Sequence, residues 1–308
     1  MLFFSAGMFI LSALLFQRGM VDMWGVIIPT TAMLGSFGAV LALANLAGGL
    51  HGTFAAAHRV FSLINESPEI EDVPGDLRKT QGDVLADNVS FGYGDARVLK
   101  GVDLAVGKGE TVGIMGASGS GKSTLLRLIM RFWDVGKGSV SLGGTNVKLL
   151  PTKTLRGTIG LLSQETYIFN TTIMENIRIG KPKAGENEVI EAAKKASIHD
   201  FIMELKDGYD TKAGEWGDRF STGERQRIGL ARMFLHDASL MLLDEPTSNI
   251  DTLNERVVLR SIAQGKGDKT VVIVSHRKSA LAFADRVCHM ENGVLAFTSS
   301  QHHGTILE

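Results

Sequence analysis

The sequence predicts an α/β domain preceded by about two apolar helices long enough to meet a membrane. Three observations carry that expectation: two long uncharged runs before residue 51, short apolar strands alternating with polar helices from about Gly82, and a glycine-rich loop set between one such strand and one such helix. The 308 residues hold 32 Lys+Arg against 33 Asp+Glu and are 44% apolar. A net charge of -1 excludes a broadly basic nucleic-acid binder, and the length allows one large or two ordinary domains. The lone Cys288 excludes a disulfide framework and a Cys-rich metal site, and it reads as a small buried strand residue.

The first element is the uncharged run from Met1 to Phe16, and the second is the 25-residue run from Val26 to Leu50. Arg18 and Asp22 are the only formal charges in residues 1–50. The longer run suffices to cross about 30 Å of hydrocarbon as a tilted helix, whereas the shorter is marginal. A signal peptide is the alternative for the first run, but it lacks a basic leading region and a second apolar segment follows. Gly35 with Ala39, and Ala44 with Gly48, have the small-xxx-small spacing that admits a close helix partner. Pro29 fits in the first turn or as a local kink.

After Leu50 the pattern turns amphipathic, with His51, His58, Arg59 and Glu66 among Phe54, Val60, Phe61, Leu63 and Ile64. This predicts a helix ending near Ser67-Pro68, because proline disfavours helical geometry in the residue before it. Residues 1–66 thus read as a partial transmembrane region, and 67–81, with its acidic and Pro-containing stretch, as a linker. Residues 82–308 form the α/β domain.

Within that domain Thr111 to Met115 reads as a strand and Leu125 to Arg131 as a helix. Between them lies GxxxxGKST: Gly116, Ala117, Ser118, Gly119, Ser120, Gly121, Lys122, Ser123 and Thr124. Glycines let successive N–H groups point at phosphate oxygens, and the following helix start adds its partial positive charge. Lys122 supplies a mobile cation for the β and γ phosphates of ATP, and Ser123 a hydroxyl for Mg²⁺. This spacing resembles the phosphate loop of P-loop NTPases. A second apolar strand, Leu240 to Leu243, presents Asp244 and Glu245 at its carboxyl end, where open α/β sheets bind ligands. Asp244 suits support of Mg²⁺, and Glu245 suits polarisation of the attacking water.

Phe220 to Arg227 (FSTGERQR), lying between the lysine loop and the LMLLDE strand, resembles the signature segment of ATP-binding cassette (ABC) proteins. With the uncharged runs before it, the chain resembles the C-terminal part of an ABC exporter in which permease and ATPase are fused. The fold this implies is an ABC-type P-loop NTPase domain after about two transmembrane helices. The resemblance implies that Tyr93 stacks on adenine and that Gln164 senses Mg²⁺ and the attacking water. It implies that Ser221 and Gly223 hold the γ-phosphate bound by the opposite ATPase, and that His276 contacts the γ-phosphate. Ser248 to Asp251 (SNID) would cross the dimer seam, while Gly214-Glu215 and Gln164 would lie near the membrane-domain contact. His289, His302 and His303 read as surface groups.

Two departures from that pattern bear on function. Thr222 stands at the first glycine of the usual Leu-Ser-Gly-Gly-Gln, and Glu224 replaces its Gln. A β-branched residue adds volume and Glu224 adds negative charge, so either would weaken one composite site and make a pair of sites asymmetric. The family brings six membrane helices per half, so two imply a chain truncated to the last two, a separately encoded fragment, or a part needing other membrane subunits.

The resemblance implies ATP hydrolysis coupled to export of an unidentified substrate. Expected partners are a second ABC half-transporter, identical or different, and the lipid bilayer of the inner (plasma) membrane. The protein would be multi-pass, with its ATPase domain cytoplasmic and no nucleic-acid partner. Two other readings stay open at this point: a non-transporting or regulatory fragment, and a soluble-type ABC ATPase of nucleic-acid repair or translation, which leaves the uncharged runs unexplained.

Overall fold

A computed structural model describes residues 2–75, 80–248 and 250–297, apart from the side chains at 44 and 46–49. The Ala44 and Gly48 side-chain pair, Asn249 of the SNID segment, His302 and His303 therefore lie outside the described residues. The chain divides into two compact units, Met1–Pro68 and Glu69–Glu308.

The first unit is a pair of helices. α1 (Leu2–Gln17) spans 16 residues, and α2 (Trp24–Ile64) spans 41. Gly19 turns the chain between them at φ +72°, and the Asp22 carboxylate accepts from the Gly25 N–H at 3.0 Å, holding the start of α2. At 1.5 Å per residue α2 is about 60 Å long. Pro29 lies inside it. The hydroxyls of Thr30 and Thr31 are satisfied within the helix by the carbonyls of Val26 and Ile27, at 2.7 and 2.8 Å. Hydroxyls bonded in this way can be carried in an apolar environment at little cost. Among the described residues, Trp24–Leu43, with a mean hydropathy of 1.9, is the helical segment long and apolar enough to cross a membrane. α1 is apolar but shorter. α2 stops at Ile64, ahead of Ser67-Pro68.

The second unit is layered. It opens with the antiparallel strands β1 (Val84–Tyr93) and β2 (Ala96–Val106), followed by β3 (Thr111–Met115) and α3 (Lys122–Ile129). Then come β4 (Lys137–Leu142), β5 (Thr145–Asn146), α4 (Thr152–Thr158) and β6 (Ile159–Leu162). A helical block follows: α5 (Ile173–Arg178), α6 (Glu186–Lys195), α7 (His199–Glu204) and α8 (Thr222–His236). The chain returns to the sheet through β7 (Leu240–Asp244), α9 (Thr252–Gly265), β8 (Thr270–Ser275), β9 (Arg286–Glu291) and β10 (Val294–Phe297).

Two sheets result, ordered β2-β1-β4-β5 and β10-β9-β3-β8-β7-β6. The larger is parallel from β9 to β6, with β10 antiparallel at its edge. Alternation along its strands separates two cores. Val112, Ile114, Leu242, Val272 and Val274 pack with α3 and the small sheet, whereas Met241, Leu243, Val271 and Ile273 pack with the helical block. A strand buried on both faces reads as the continuous apolar runs seen in the sequence.

Register positions the site. Met115 pairs with Ser275, Asp244 with Val274, and Leu162 with Leu243. The carboxyl ends of β3, β6, β7 and β8 therefore end along one edge of the sheet, the crevice where such folds bind ligands. Part of the segment expected as linker is fastened to this unit: Arg131 Nη2 donates to the Glu71 carbonyl at 3.2 Å, and the Thr152 N–H to Asp72 Oδ1 at 2.8 Å.

Candidate functional site: a phosphate loop facing two carboxylates

The loop from Gly116 to Gly121 leaves β3 and enters α3 in a conformation that glycine alone accommodates at two places. A Cβ on Gly116 would sit 2.3 Å from the Met290 carbonyl oxygen. Gly121 has φ +106°, and its Cβ would meet Leu99 Cδ2 at 2.7 Å. With glycine before α3, the helix start has no side-chain cap, so its free N–H groups remain open to an anion. The buried Ser120 Oγ in the same loop has no hydrogen-bond partner. Such an orphaned donor in a glycine cradle fits phosphate oxygens.

Lys122 is 5% exposed and folds back over the loop. Its Nζ donates to the carbonyls of Gly116 and Ala117 at 2.8 and 2.9 Å and lies 3.7 Å from Glu245 Oε1. Ser123 Oγ donates to Asp244 Oδ1 at 2.8 Å. Burial pushes the Asp244 carboxyl above its usual value; the Ser123 hydrogen bond opposes this and the neighbouring Glu245 charge adds to it. A carboxylate short of compensation beside a hydroxyl is a hard-oxygen arrangement suited to a divalent cation. Among the described residues no cluster of three or more His, Cys, Asp or Glu could hold a metal by itself.

Glu245 follows β7 in a left-handed conformation, φ +49°, with its N–H donating to the Val274 carbonyl at 2.9 Å. This strained geometry turns the side chain toward β8. There Oε2 accepts from His276 Nδ1 at 2.9 Å, from Ser275 Oγ at 3.2 Å and from the His276 N–H at 3.4 Å. An acidic group held by an imidazole, a hydroxyl and a nearby ammonium is equipped to orient water.

One cleft of about 380 Å³ brings together Tyr93, Ser118, Gly119, Gly121, Lys122, Ser123, Thr124, Gln164, Glu245 and His276. A second cleft of about 520 Å³ shares Ser118, Gly119 and His276 and is lined also by Gly116, Ala117, Ser120 and the exposed His289. Tyr93 sits edge-on to Phe91 and Trp133, with ring centroids 5.0 and 5.2 Å away. A groove of about 450 Å³ elsewhere includes Arg232 and His236. Their polar atoms are engaged by the Asn176, Tyr167, Gly180 and Arg156 carbonyls, so it offers no comparable chemistry.

Ser221 and Gly223 are not among the residues lining the cleft. Ser221 caps α8: the Glu224 N–H donates to its Oγ at 3.3 Å, while its own N–H donates to Glu224 Oε2 at 2.8 Å. Glu224, expected only as an added charge, therefore completes a capping box. Thr222 Oγ1 accepts from Arg225 Nη2 at 3.3 Å, and a Cβ on Gly223 would crowd Asn254 at 3.0 Å. Ser275, Arg277 and Glu255 were missed by sequence reasoning. Ser275 adjoins His276 after an apolar strand, a signal that was readable. Glu255 stands in the first turn of α9, where an exposed acidic residue would suit the helix dipole, yet it is 7% exposed.

A P-loop NTPase domain is what this sheet edge and cleft define. Residues 99–248 match the profile of the ABC transporter family. A probable ABC transporter ATP-binding/permease protein of Haemophilus influenzae is 47% identical over 282 residues, covering 91% of this chain and 51% of that protein. The solved structure of a bacterial Atm1-family ABC exporter with ATP bound aligns with a TM-score of 0.76 at 32% identity, over 95% of this chain and 52% of that one. The ATP-binding domain belongs to the ABC transporter family, and apolar helices precede it in the sequence. It spans about half the length of the relatives it matches.

Proposed function

We propose that this chain is an ATP-hydrolysing subunit of a membrane exporter, with residues 1–66 as part of the permease, 67–81 as linker and 82–308 as the ATPase. The observation carrying the reading is the convergence of Lys122, Ser123, Gln164, Glu245 and His276 on one cleft. The ATP bound in the similar exporter and the ATP-binding/permease name of the H. influenzae relative support ATP as the nucleotide.

In this reading Tyr93 stacks on adenine, and the loop from Gly116 to Thr124 receives the phosphates through N–H groups and the Ser120 hydroxyl. Lys122 exchanges the Gly116 and Ala117 carbonyls for phosphate oxygens. Ser123, Asp244 and Gln164 would hold Mg²⁺, which when bound supplies positive charge to the phosphate oxygens. Glu245 polarises a water for attack on the γ-phosphorus; the new P–O bond forms as the bond to the β-phosphate oxygen breaks. His276 keeps Glu245 oriented and donates toward the transferring group.

Ser221 and Gly223 reach the γ-phosphate of a second, identical or different, half-transporter rather than this chain's own. ATP then favours the paired state, and hydrolysis releases it. The apolar helices lie in the inner (plasma) membrane, the ATPase on its cytoplasmic side, and Gln164 and Glu215 nearest the coupling route. Reconstitution in bilayers tests this. MgATP turnover well above that of a Lys122→Ala chain, with ATP-dependent pairing of cassettes, is expected. Turnover indifferent to Lys122, or no pairing with any ATP-binding/permease partner, would contradict it.

A further inference from the structure

The proposed hydrolysis leaves one buried carboxylate unused. Glu255 projects from α9, whose start is fixed by Asp251 Oδ1 accepting from the N–H groups of Leu253 and Asn254 at 3.0 and 3.1 Å. Its Oε2 accepts from Arg277 Nη1 at 3.0 Å, and its Oε1 from Ser279 Oγ at 2.6 Å and Thr247 Oγ1 at 3.5 Å. Arg277 Nη1 also reaches the Ile250 carbonyl at 3.5 Å. One carboxylate thus ties together the segment after Glu245 and the segment after His276.

That tie bears on the site because the His276 ring is weakly held. Its side chain is 54% exposed, and its polar contact is Glu245. Its direction is therefore set mainly by the backbone from Ser275 to Arg277. There the Arg277 N–H donates to Ser275 Oγ at 3.1 Å, and Ser275 Oγ donates to Glu245 Oε2 at 3.2 Å. Glu255 grips the far side of the same turn through Arg277 and Ser279. A buried carboxylate compensated by one guanidinium and two hydroxyls resists displacement, because moving either partner strands a charge.

We infer that Glu255 is a positioning residue: through Arg277 and Ser279 it holds His276 against Glu245, and through Thr247, with Arg277 reaching the Ile250 carbonyl, it makes that alignment depend on Thr247 and Ile250. This rests on the hydrolytic reading of the same cleft. Movement of Thr247 or of the Ile250 carbonyl would be transmitted to the imidazole without touching the nucleotide.

The test uses the full chain labelled with ¹⁵N-histidine, carrying Glu255→Gln, Arg277→Gln or both. Without nucleotide, the His276 imidazole resonances are expected to move in each single variant while those of His199 and His236 stay. With MgATP, kcat falls by about 10- to 100-fold, the scale of a misplaced catalytic group, and KM changes less than about twofold. The double variant falls no further than the worse single one, as for residues acting as a unit. An unmoved His276 resonance in Arg277→Gln, a guanidinium at the surface edge of the cluster, overturns the inference even should Glu255→Gln fail to fold. So does a moved resonance with unchanged kcat. A wild-type chain that turns over no ATP would defeat the hydrolytic reading instead, and the resonances would still decide the positioning.

Discussion

His276 Nδ1 donates to Glu245 Oε2 across 2.9 Å, joining the end of β8 to the residue after β7. The two groups stand 31 positions apart in sequence and meet because their parallel strands end in register. A group that orients another in this way contributes through geometry. His276→Ala should therefore lower kcat by about 10²- to 10⁴-fold while leaving MgATP affinity within a small factor. Steady-state kinetics beside equilibrium nucleotide binding checks it, and equal losses in both would assign His276 to binding alone.

Lys122 acts earlier. Its Nζ has two carbonyl partners and one carboxylate within reach, all displaceable by phosphate. Lys122→Ala removes charge-assisted hydrogen bonds worth about 1.5–3 kcal/mol, so MgATP affinity should fall by about 10- to 100-fold. Calorimetric titration measures it, with unchanged affinity as the contrary result.

Asp244 carries a stability prediction. Its folded-state carboxyl binds its proton more tightly than the unfolded one because it is buried. The sign follows: stability from this group is full below the unfolded value near 3.8 and is lost as pH rises through the raised folded value. Asp244→Asn keeps an acceptor for Ser123 and removes that loss. At pH 7 the metal-free variant should melt higher than wild type, by about 2–4 °C for each kcal/mol recovered, and the difference should vanish toward pH 3. A lower melting temperature at pH 7 would show that the charge is compensated by contacts stronger than the Ser123 bond.

Glu224 separates folding from function. Glu224→Ala breaks the reciprocal cap with Ser221 and should destabilise the domain by about 1 kcal/mol. Glu224→Gln retains an acceptor for the Ser221 N–H and should leave stability within about 0.5 kcal/mol. A change in turnover in Glu224→Gln, where the cap and the stability are kept, would then report the loss of the charge itself. Chemical denaturation and turnover measured on the same variants resolve the two roles.

Much of this site was legible because its chemistry is local in sequence. The glycines, Lys122 and Ser123 stand in one loop, and Asp244 and Glu245 end one apolar strand. Strands β3, β7 and β8 were readable as apolar runs since both faces are buried. The small sheet was not: β1 and β2 break their alternation, with Asn88 at φ 46° and register shifts along the pair. Glu255 was hidden for another reason. Its burial depends on Arg277, 22 positions away, and no pattern around residue 255 encodes that partner. Ser221 illustrates the converse, since the same Ser-x-x-Glu spacing serves the α8 cap whatever else it does.

The most direct measurement is single-turnover hydrolysis by Glu245→Gln beside its equilibrium binding of MgATP. The substitution keeps size and an acceptor for His276 but removes the carboxylate. The account predicts wild-type-like binding with turnover slowed by about 10²-fold or more. Undiminished turnover, or a wild-type chain that binds no MgATP, would contradict it.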